Sequence, residues 1–416
     1  MWDDDKLAMV KTFDSVAGII VSNLTNINDQ SQKALRVLAC LLGQADLSVL
    51  RLLESNESIS PEYGFEISMR DLVENGIVEV SDTFVSFTHD LILQQVYDTM
   101  THEERSQLHF DIGTHLGNAL GLDDEERALE SIMRSLDIQS DTISDVSCQD
   151  DADLAQLLGS TIFVAVDQVN LAGSGMITGE AERLRLAKWN KVAADEAVKQ
   201  FRYQISANLY MQAIDLLPDQ NSWVADDREL CQMLYEGAAD SLFAVGKLPE
   251  SVGFASAVIK NTSFEESMRA YYLLVRSMNS LSQFSDTIAT GVAVFRTIGI
   301  DIPHEATPQT IFNMMQKTGE QLDECDTEQL LDIVQTGTDS TRTQGCETLF
   351  HRQIRYAAFR LASPYLPIFS CIFIQCALEN RVRGELTDSL IIYGTFLTIL
   401  GDDFAGARKV AGELAP

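Results

Sequence analysis

The sequence lacks the short motifs that mark most catalytic sites. Its 416 residues contain no GxxxxGK[ST] phosphate-binding loop, no HExxH zinc pair and no GxSxG nucleophile elbow. The one glycine-rich run, residues 173–179, has Thr178 where a dinucleotide fingerprint requires glycine, and we interpret it as a turn between helices. We therefore predict that the chain is not an enzyme and has no catalytic, cofactor-binding or metal-binding residue.

Basic residues are scarce. The chain has 30 Lys and Arg against 62 Asp and Glu, which gives a formal net charge of −32. A surface this negative repels phosphate backbones and anionic lipid. We expect no nucleic-acid partner and no membrane partner, and we interpret the excess acid as a solvated face.

Cysteine pairs and long apolar runs are also absent. The seven cysteines form no CxxC pair, which argues against a zinc knuckle or a redox pair and favours a reducing compartment. The acidic start, Met1–Asp5, is unlike an export signal. The most apolar run, Tyr365–Leu378, contains Ser370 and Gln375 and falls short of the roughly 20 apolar residues that span a membrane. These features predict a cytoplasmic protein.

Proline is scarce as well, with 8 in the chain, and apolar residues recur at helical spacing. Residues 1–28 suggest one amphipathic helix after a short lead. Helices are further predicted at Ser31–Leu42, through Leu53 with Asp46 as the cap, and from Ser60-Pro61 to Asn75. Two strands follow, Ile77–Val80 and Phe84–Phe87. Three helices before a two-stranded hairpin are typical of a winged helix.

The predicted third helix is a poor DNA-reading element. Its polar positions are Glu62, Glu66, Arg70, Asp71 and Glu74. One arginine among four carboxylates is unsuited to docking on phosphate. We favour a degenerate winged helix that packs against protein, and a module that reads DNA is the alternative.

The stretch Phe84–Gly121 reads as a joint between this small module, residues 1–121, and a helical array. Thr101 and Glu104 fit a capping box at the start of a helix. Leu108, Ile112, Leu116 and Leu120 then recur as a buried stripe, and Gly121 is expected to end the helix in a left-handed conformation. We expect His109, which lies beside the stripe, to be packed or hydrogen-bonded.

Beyond the joint we predict an acidic flexible insert at 122–153 and paired helices of tetratricopeptide size at 154–303. Further helical repeats at 304–416 are expected to continue past Pro416. The predicted fold is all-α, with a small winged helix followed by a solenoid of helical repeats.

The joint resembles the region that follows the nucleotide-binding module in signalling ATPases of the STAND type. The residues that carry the resemblance are Phe87, His89, Asp90, Ile92, Gln94, Gln95, Tyr97, Arg105, Leu108, His109, Ile112 and Gly113. Such ATPases join a P-loop module, a winged helix and tetratricopeptide-like repeats, and many carry kinase domains.

The resemblance implies a regulatory region in signal transduction. Its partner would be another protein or an adjoining ATPase or kinase domain, and ATP would bind only in a module before Met1. Phe87, His89, Asp90, Gln95, Tyr97, Arg105, His109 and Gly113 are implied as a structural motif, not as an active site. A DNA-reading transcription regulator and a stand-alone repeat scaffold are the alternatives.

Overall fold

A computed structural model describes residues 27–81, 83–123, 150–217, 223, 227–325, 327–336, 342–380 and 386–401. Helices dominate these residues, which confirms the all-α prediction. The chain divides into two compact units, Met1–Ser222 and Trp223–Pro416. The predicted boundaries at 121, 153 and 303 stay predictions. The helix predicted before Asn28 and most of the acidic insert lie outside the described residues.

The first unit opens with six short elements. They are α1 (Asp29–Cys40), β1 (Gln44–Asp46), α2 (Leu47–Leu53), α3 (Gly64–Glu74), β2 (Val78–Val80) and β3 (Phe84–Phe87). The sheet order is β1-β3-β2 with both pairs antiparallel, and Val85 lies opposite Ala45 and Val80. The predicted hairpin forms, and β1 is a third strand that the sequence analysis missed.

The strand β1 escaped prediction because its three residues, Gln-Ala-Asp, carry no apolar alternation. The backbone before it explains its placement. Leu42 and Gly43 both have positive φ, 62° and 82°, which ends α1 abruptly and turns the chain to lie beside β3. Asp46 then caps α2 as predicted, since its carboxylate accepts the Ser48 N–H at 2.8 Å.

The predicted start of the third helix at Ser60-Pro61 is wrong. Gly64 has φ +81°, a left-handed value that prevents a continuous helix from Pro61. The helix α3 begins at Gly64 instead, and the Glu54 carboxylate accepts the Phe65 N–H at 3.1 Å from outside the helix. The Ser60 hydroxyl bonds the Pro61 carbonyl and does not cap.

The rest of the first unit is helical. The elements are α4 (Asp90–Thr99), α5 (His102–Ala119), α6 (Asp150–Ala172), a 3₁₀ turn at Ser174–Met176, α7 (Glu180–Lys199) and α8 (Tyr203–Leu216). The capping box predicted at Thr101 is confirmed, because Thr101 and Glu104 bond each other's backbone N–H groups. The helix α6 packs along α5 and also contacts α7, which pairs with α8.

The second unit is a series of helices. They are α9 (Arg228–Ala244), α10 (Leu248–Asn261), α11 (Met268–Ser280), α12 (Phe284–Thr297), α13 (Pro308–Glu324), α14 (Thr327–Thr336), α15 (Arg342–Arg360), α16 (Tyr365–Asn380) and α17 (Leu386–Gly401). Their shared core includes Phe295, Phe350, Ile354 and Phe369, all nearly inaccessible to solvent. No described helix combines the length and apolarity that crossing a membrane demands.

Four helical hairpins share one turn geometry. The turns that follow α7, α9, α11 and α15 each place one residue at positive φ: Phe201, Gly246, Ser282 and Ala362. In each turn the next residue's N–H returns to a carbonyl five residues back, as Arg202 does to Ala197 at 2.8 Å. This is the Schellman closure, and it recurs with glycine at only one of the four positions.

Candidate functional site

Four of the eight predicted motif residues lie at or near the start of α4. Phe87 ends β3, and His89 caps α4 by accepting the Leu91 N–H on Nδ1 at 3.1 Å. Asp90 is exposed in the first turn, where the helix dipole favours a carboxylate. Gln95 is half-buried in the middle of α4. Phe87, His89 and Asp90 lie where the helix begins. The side chains of the four residues do not converge on one point.

The other motif residues are Tyr97, Arg105, His109 and Gly113. Tyr97 and His109 belong to a chain of hydrogen bonds, which we call the polar relay: Tyr97, His109, Gln168 and the Cys40 carbonyl. His109 on α5 is 1% exposed and is bonded on both ring nitrogens. Its Nε2 lies 2.9 Å from the Tyr97 hydroxyl on α4, and its Nδ1 lies 2.8 Å from Oε1 of Gln168 on α6. Three helices thus meet at one imidazole.

The relay ends on the backbone of α1. The Gln168 amide nitrogen donates to the Cys40 carbonyl at 2.8 Å. Carbonyls in the last turn of a helix have no intrahelical partner, and Gln168 supplies one. Because a carbonyl only accepts, the amide orientation is fixed and Oε1 faces His109. His109 therefore donates from Nδ1 and accepts the Tyr97 hydroxyl on Nε2.

Arg105 closes the relay on the solvent side. Its guanidinium carbon lies 4.6 Å from the centre of the Tyr97 ring, within cation–π range. Its Nε donates to the Met100 carbonyl at 2.9 Å, which holds the side chain across the α4–α5 turn. Arg105 thereby holds the Tyr97 ring in place while its charge stays near water.

Burial sets the charge state of the relay. Desolvation lowers the pKa of His109, so the imidazole is neutral at physiological pH. Desolvation also raises the pKa of Tyr97, which keeps its hydroxyl protonated as a donor. The Cys40 thiol beside the relay has its pKa raised to about 12 by burial, so it is no nucleophile.

Gly113 permits the close approach of α5 and α6 on which the relay depends. A Cβ at this position would lie 2.6 Å from Cγ2 of Val169 and 2.8 Å from the Ala165 carbonyl oxygen. One turn further along, Gly117 faces the indole ring of Trp189 in the same way. Gly113 requires a residue without a side chain because backbone atoms cannot yield the space, and Gly117 does so because the Trp189 ring is buried and tightly packed.

A second set of hydrogen-bonded amides links α6 to the next helical hairpin. Asn170 lies two residues after Gln168 and donates to Asn190 on α7 at 2.9 Å and to Gln212 on α8 at 2.7 Å. Asn190 returns a hydrogen bond to Asn170 at 3.2 Å. Polar contacts therefore join α6 to the first module on one side and to the next hairpin on the other.

Part of this site could be predicted from the sequence. The expected packed or hydrogen-bonded His109 beside the apolar stripe is found, whereas the role of Gln168 was missed. The available signal was an uncharged amide on an otherwise apolar face of α6, next to Val166 and Val169. Such a residue requires a buried partner, although sequence alone does not say which one.

The site has no visible catalytic geometry. Among the described residues, no cluster of three or more His, Cys, Asp or Glu side chains could hold a metal ion. His109 is fully engaged on both nitrogens, so it is not free to accept a substrate proton. The hydrogen bonds hold α1, α4, α5 and α6 in a fixed orientation, so the arrangement couples these helices structurally.

Comparison with known proteins assigns no family to this chain. No protein-family model matches the chain, and no curated protein matches it. Among solved structures it is similar to a STAND protein (signal transduction ATPase with numerous domains) with a tetratricopeptide repeat sensor from Pyrococcus horikoshii. That match has 12% identity and a TM-score of 0.26, and it covers 96% of this chain and 58% of the other. The likeness is too remote to assign a fold or a function.

Proposed function

We propose that this chain is a non-catalytic regulatory region of a cytoplasmic signalling protein. Its helical hairpins bind a protein partner, and its first module passes the bound state to an adjoining ATPase or kinase domain. The observation that supports the proposal is the polar relay, in which Gln168 on α6 bonds His109 on α5 and the Cys40 carbonyl on α1, and His109 in turn bonds Tyr97 on α4.

The relay favours two discrete arrangements over gradual movement. If α6 leaves α1, the Cys40 carbonyl and the His109 imidazole lose buried partners together. Each unsatisfied buried group costs about 1–3 kcal/mol. A displacement large enough to admit water is therefore favoured over a small one, and packed elements with two positions are what a signal can bias.

We propose that the first module is a degenerate winged helix, and its third helix supports a protein-facing role. Arg70 is the one exposed basic residue of α3 and pairs with Glu66 at 3.2 Å. Tyr63 and Ile67 are 63% and 56% exposed beside the carboxylates of that helix. Apolar side chains with acidic neighbours suit a protein surface better than a phosphate backbone.

The proposal assigns ATP to a separate module, so the purified chain should neither hydrolyse ATP nor shift a DNA duplex at low salt. ATP hydrolysis that is lost on substituting residues of this chain would overturn it. So would a sequence-specific gel shift, which would favour the DNA-reading alternative.

The coupling itself can be measured by amide hydrogen exchange. Gln168→Leu keeps the side-chain size and removes both bonds to His109 and Cys40, so faster exchange is expected in α1 and α6 together. Gln204→Leu makes the same change on the exposed face of α8 and serves as the control. Faster exchange in α6 alone would contradict coupling through the relay.

A further inference from the structure

We propose that an exposed basic and aromatic stripe on α15 is the docking surface for a short acidic, amphipathic segment of a protein partner. The stripe consists of Leu349, Arg352, Tyr356, Phe359 and Arg360. The inference rests on the proposed function, in which the array binds a partner, and it specifies the place and the chemistry.

The stripe occupies one side of α15 by its spacing. Positions 349, 352, 356, 359 and 360 follow the three- and four-residue steps that bring side chains onto a common helix face. Leu349, Tyr356 and Phe359 are 37%, 42% and 66% exposed, whereas Phe350 and Ile354 between them are fully buried. The helix therefore presents a second apolar face outward besides the one it buries.

The aromatic part of the stripe is held in a defined arrangement. The Tyr356 ring packs edge-on against Phe284 of α12, with ring centres 6.1 Å apart. The Arg360 guanidinium lies 5.0 Å from the centre of the Phe284 ring and 5.7 Å from that of Tyr356. Its Nη1 donates to the Tyr356 hydroxyl at 2.7 Å. Such ordering lowers the entropy lost when a partner binds.

Arg360 differs from other arginines of the second unit. Arg269 and Arg276 pair with Glu236 and Asp240, and Arg355 pairs with Asp388 at 3.2 Å. Within the described residues, no carboxylate lies in ion-pair range of Arg360. Its planar face rests on aromatic rings, and its remaining N–H groups are available for a carboxylate.

The charge of α15 also selects the partner. Arg352 and Arg360 are the exposed arginines of the stripe, in a chain whose net charge is −32. An acidic segment is repelled by most of this protein and attracted here, which gives one preferred site. A short segment is favoured over nucleic acid, because a long phosphate polymer would also be repelled by the rest of a chain whose net charge is −32. Arginine and tyrosine are the residue types that carry most interface energy.

The probe for the test is a designed fluorescent peptide with Leu and Phe on one helical face and Asp and Glu on the other. A matched peptide replaces each acid by its amide. Fluorescence anisotropy measures binding to the full chain. We expect the acidic peptide to bind, the amide peptide to bind at least about tenfold more weakly, and added salt to reduce the difference.

Two variants of the stripe separate its parts. Arg360→Gln should weaken the acidic peptide about tenfold, and the double variant Tyr356→Ala, Phe359→Ala should weaken it by at least as much. Phe312→Ala removes a 56% exposed aromatic residue elsewhere on the second unit, and Arg70→Gln removes an exposed arginine on α3. Both controls should leave affinity within about twofold of the parent chain. Circular dichroism confirms that each variant folds.

The inference is overturned if the acidic peptide fails to bind, if both stripe variants bind it normally, or if a DNA duplex competes equally at the stripe. Concentration-dependent dimerisation that Arg360→Gln abolishes would assign the stripe to a second copy of the chain instead. None of these results bears on the polar relay or on the test for ATP hydrolysis, so the proposed function is tested separately.

Discussion

Gly113 on α5 and Val169 on α6 are in direct contact, and a single added methyl group on Gly113 would lie 2.6 Å from Cγ2 of Val169. The same methyl group would meet the backbone nitrogen of Val169 at 2.7 Å. A side chain can rotate away, but the backbone of a packed helix cannot. The contact therefore sets the separation of α5 and α6, and with it the reach of Gln168 to His109.

Gly113→Ala should destabilise the first unit by about 1–3 kcal/mol, because α6 must shift to make room. The free energy of unfolding, from urea denaturation followed by circular dichroism, measures the change. Gly175→Ala is the control within the same unit, since nothing lies within 4 Å of a Cβ there. Equal stability of both variants would show that α6 does not depend on this contact.

Tyr97→Phe should cost about 1–3 kcal/mol, because it removes one hydroxyl and leaves Nε2 of the buried His109 without a partner. The ring and its contact with Arg105 remain. Tyr63→Phe removes the hydroxyl of a tyrosine that is 63% exposed and should change stability by less than about 0.5 kcal/mol. A neutral result for both would mean that water replaces the Tyr97 hydroxyl in the relay.

Stability of the second unit should fall in acid. Burial, and to a lesser extent the Arg355 charge, lowers the pKa of His351 from 6.5 to about 3. The unfolded chain binds this proton at higher pH than the folded one, so the stabilisation is present above about pH 6.5 and is lost progressively between pH 6.5 and 3. The slope for one proton is about 1.4 kcal/mol per pH unit.

The urea concentration at the midpoint of unfolding, determined at several pH values between 7 and 4, measures how stability depends on pH. His351→Gln should flatten the slope of the second unit, whereas His304→Gln, at an exposed histidine, should leave it unchanged. The lowered pKa of His109 acts in the same direction in the first unit. Unchanged midpoints over this range would contradict a neutral, buried His351.

The shared turn geometry predicts opposite effects at two equivalent positions. Ser282→Gly should stabilise the second unit by about 0.5–1 kcal/mol, because φ at Ser282 is +61° and glycine adopts it without strain. Gly246→Ser should destabilise it by about 1 kcal/mol for the same reason, since φ there is +79°. Thermal unfolding of the two single variants tests this prediction. A change of melting temperature in the same direction for both variants would contradict it.

Local signals in the sequence predicted local structure well. The Thr101 capping box, the Asp46 cap and the left-handed stop at Gly121 all form, because each depends on residues within four positions of one another. The prediction of His109 as a hydrogen-bonded residue also holds. A local signal can also mislead: Ser60-Pro61 predicted a helix start, but the left-handed φ of Gly64 delays the start of α3 to that residue.

What depends on distant partners could not be predicted. Strand β1 exists because β3 offers it an edge, and nothing in its own three residues indicates extension. Gln168 acquires its role from Cys40, 128 positions away. The turn at Phe201 could not be predicted either, because a bulky residue gives no sign of left-handed backbone.

The recurrence of one turn with four different residues, Phe201, Gly246, Ser282 and Ala362, has a consequence for how such a chain changes over time. Each hairpin closes through its own main chain, so its closure does not require a particular residue to be retained. Substitutions can therefore accumulate until the repeats no longer align with one another, while the hairpins persist. In an array of this kind, backbone torsions can reveal that hairpins close in the same way where their residues do not.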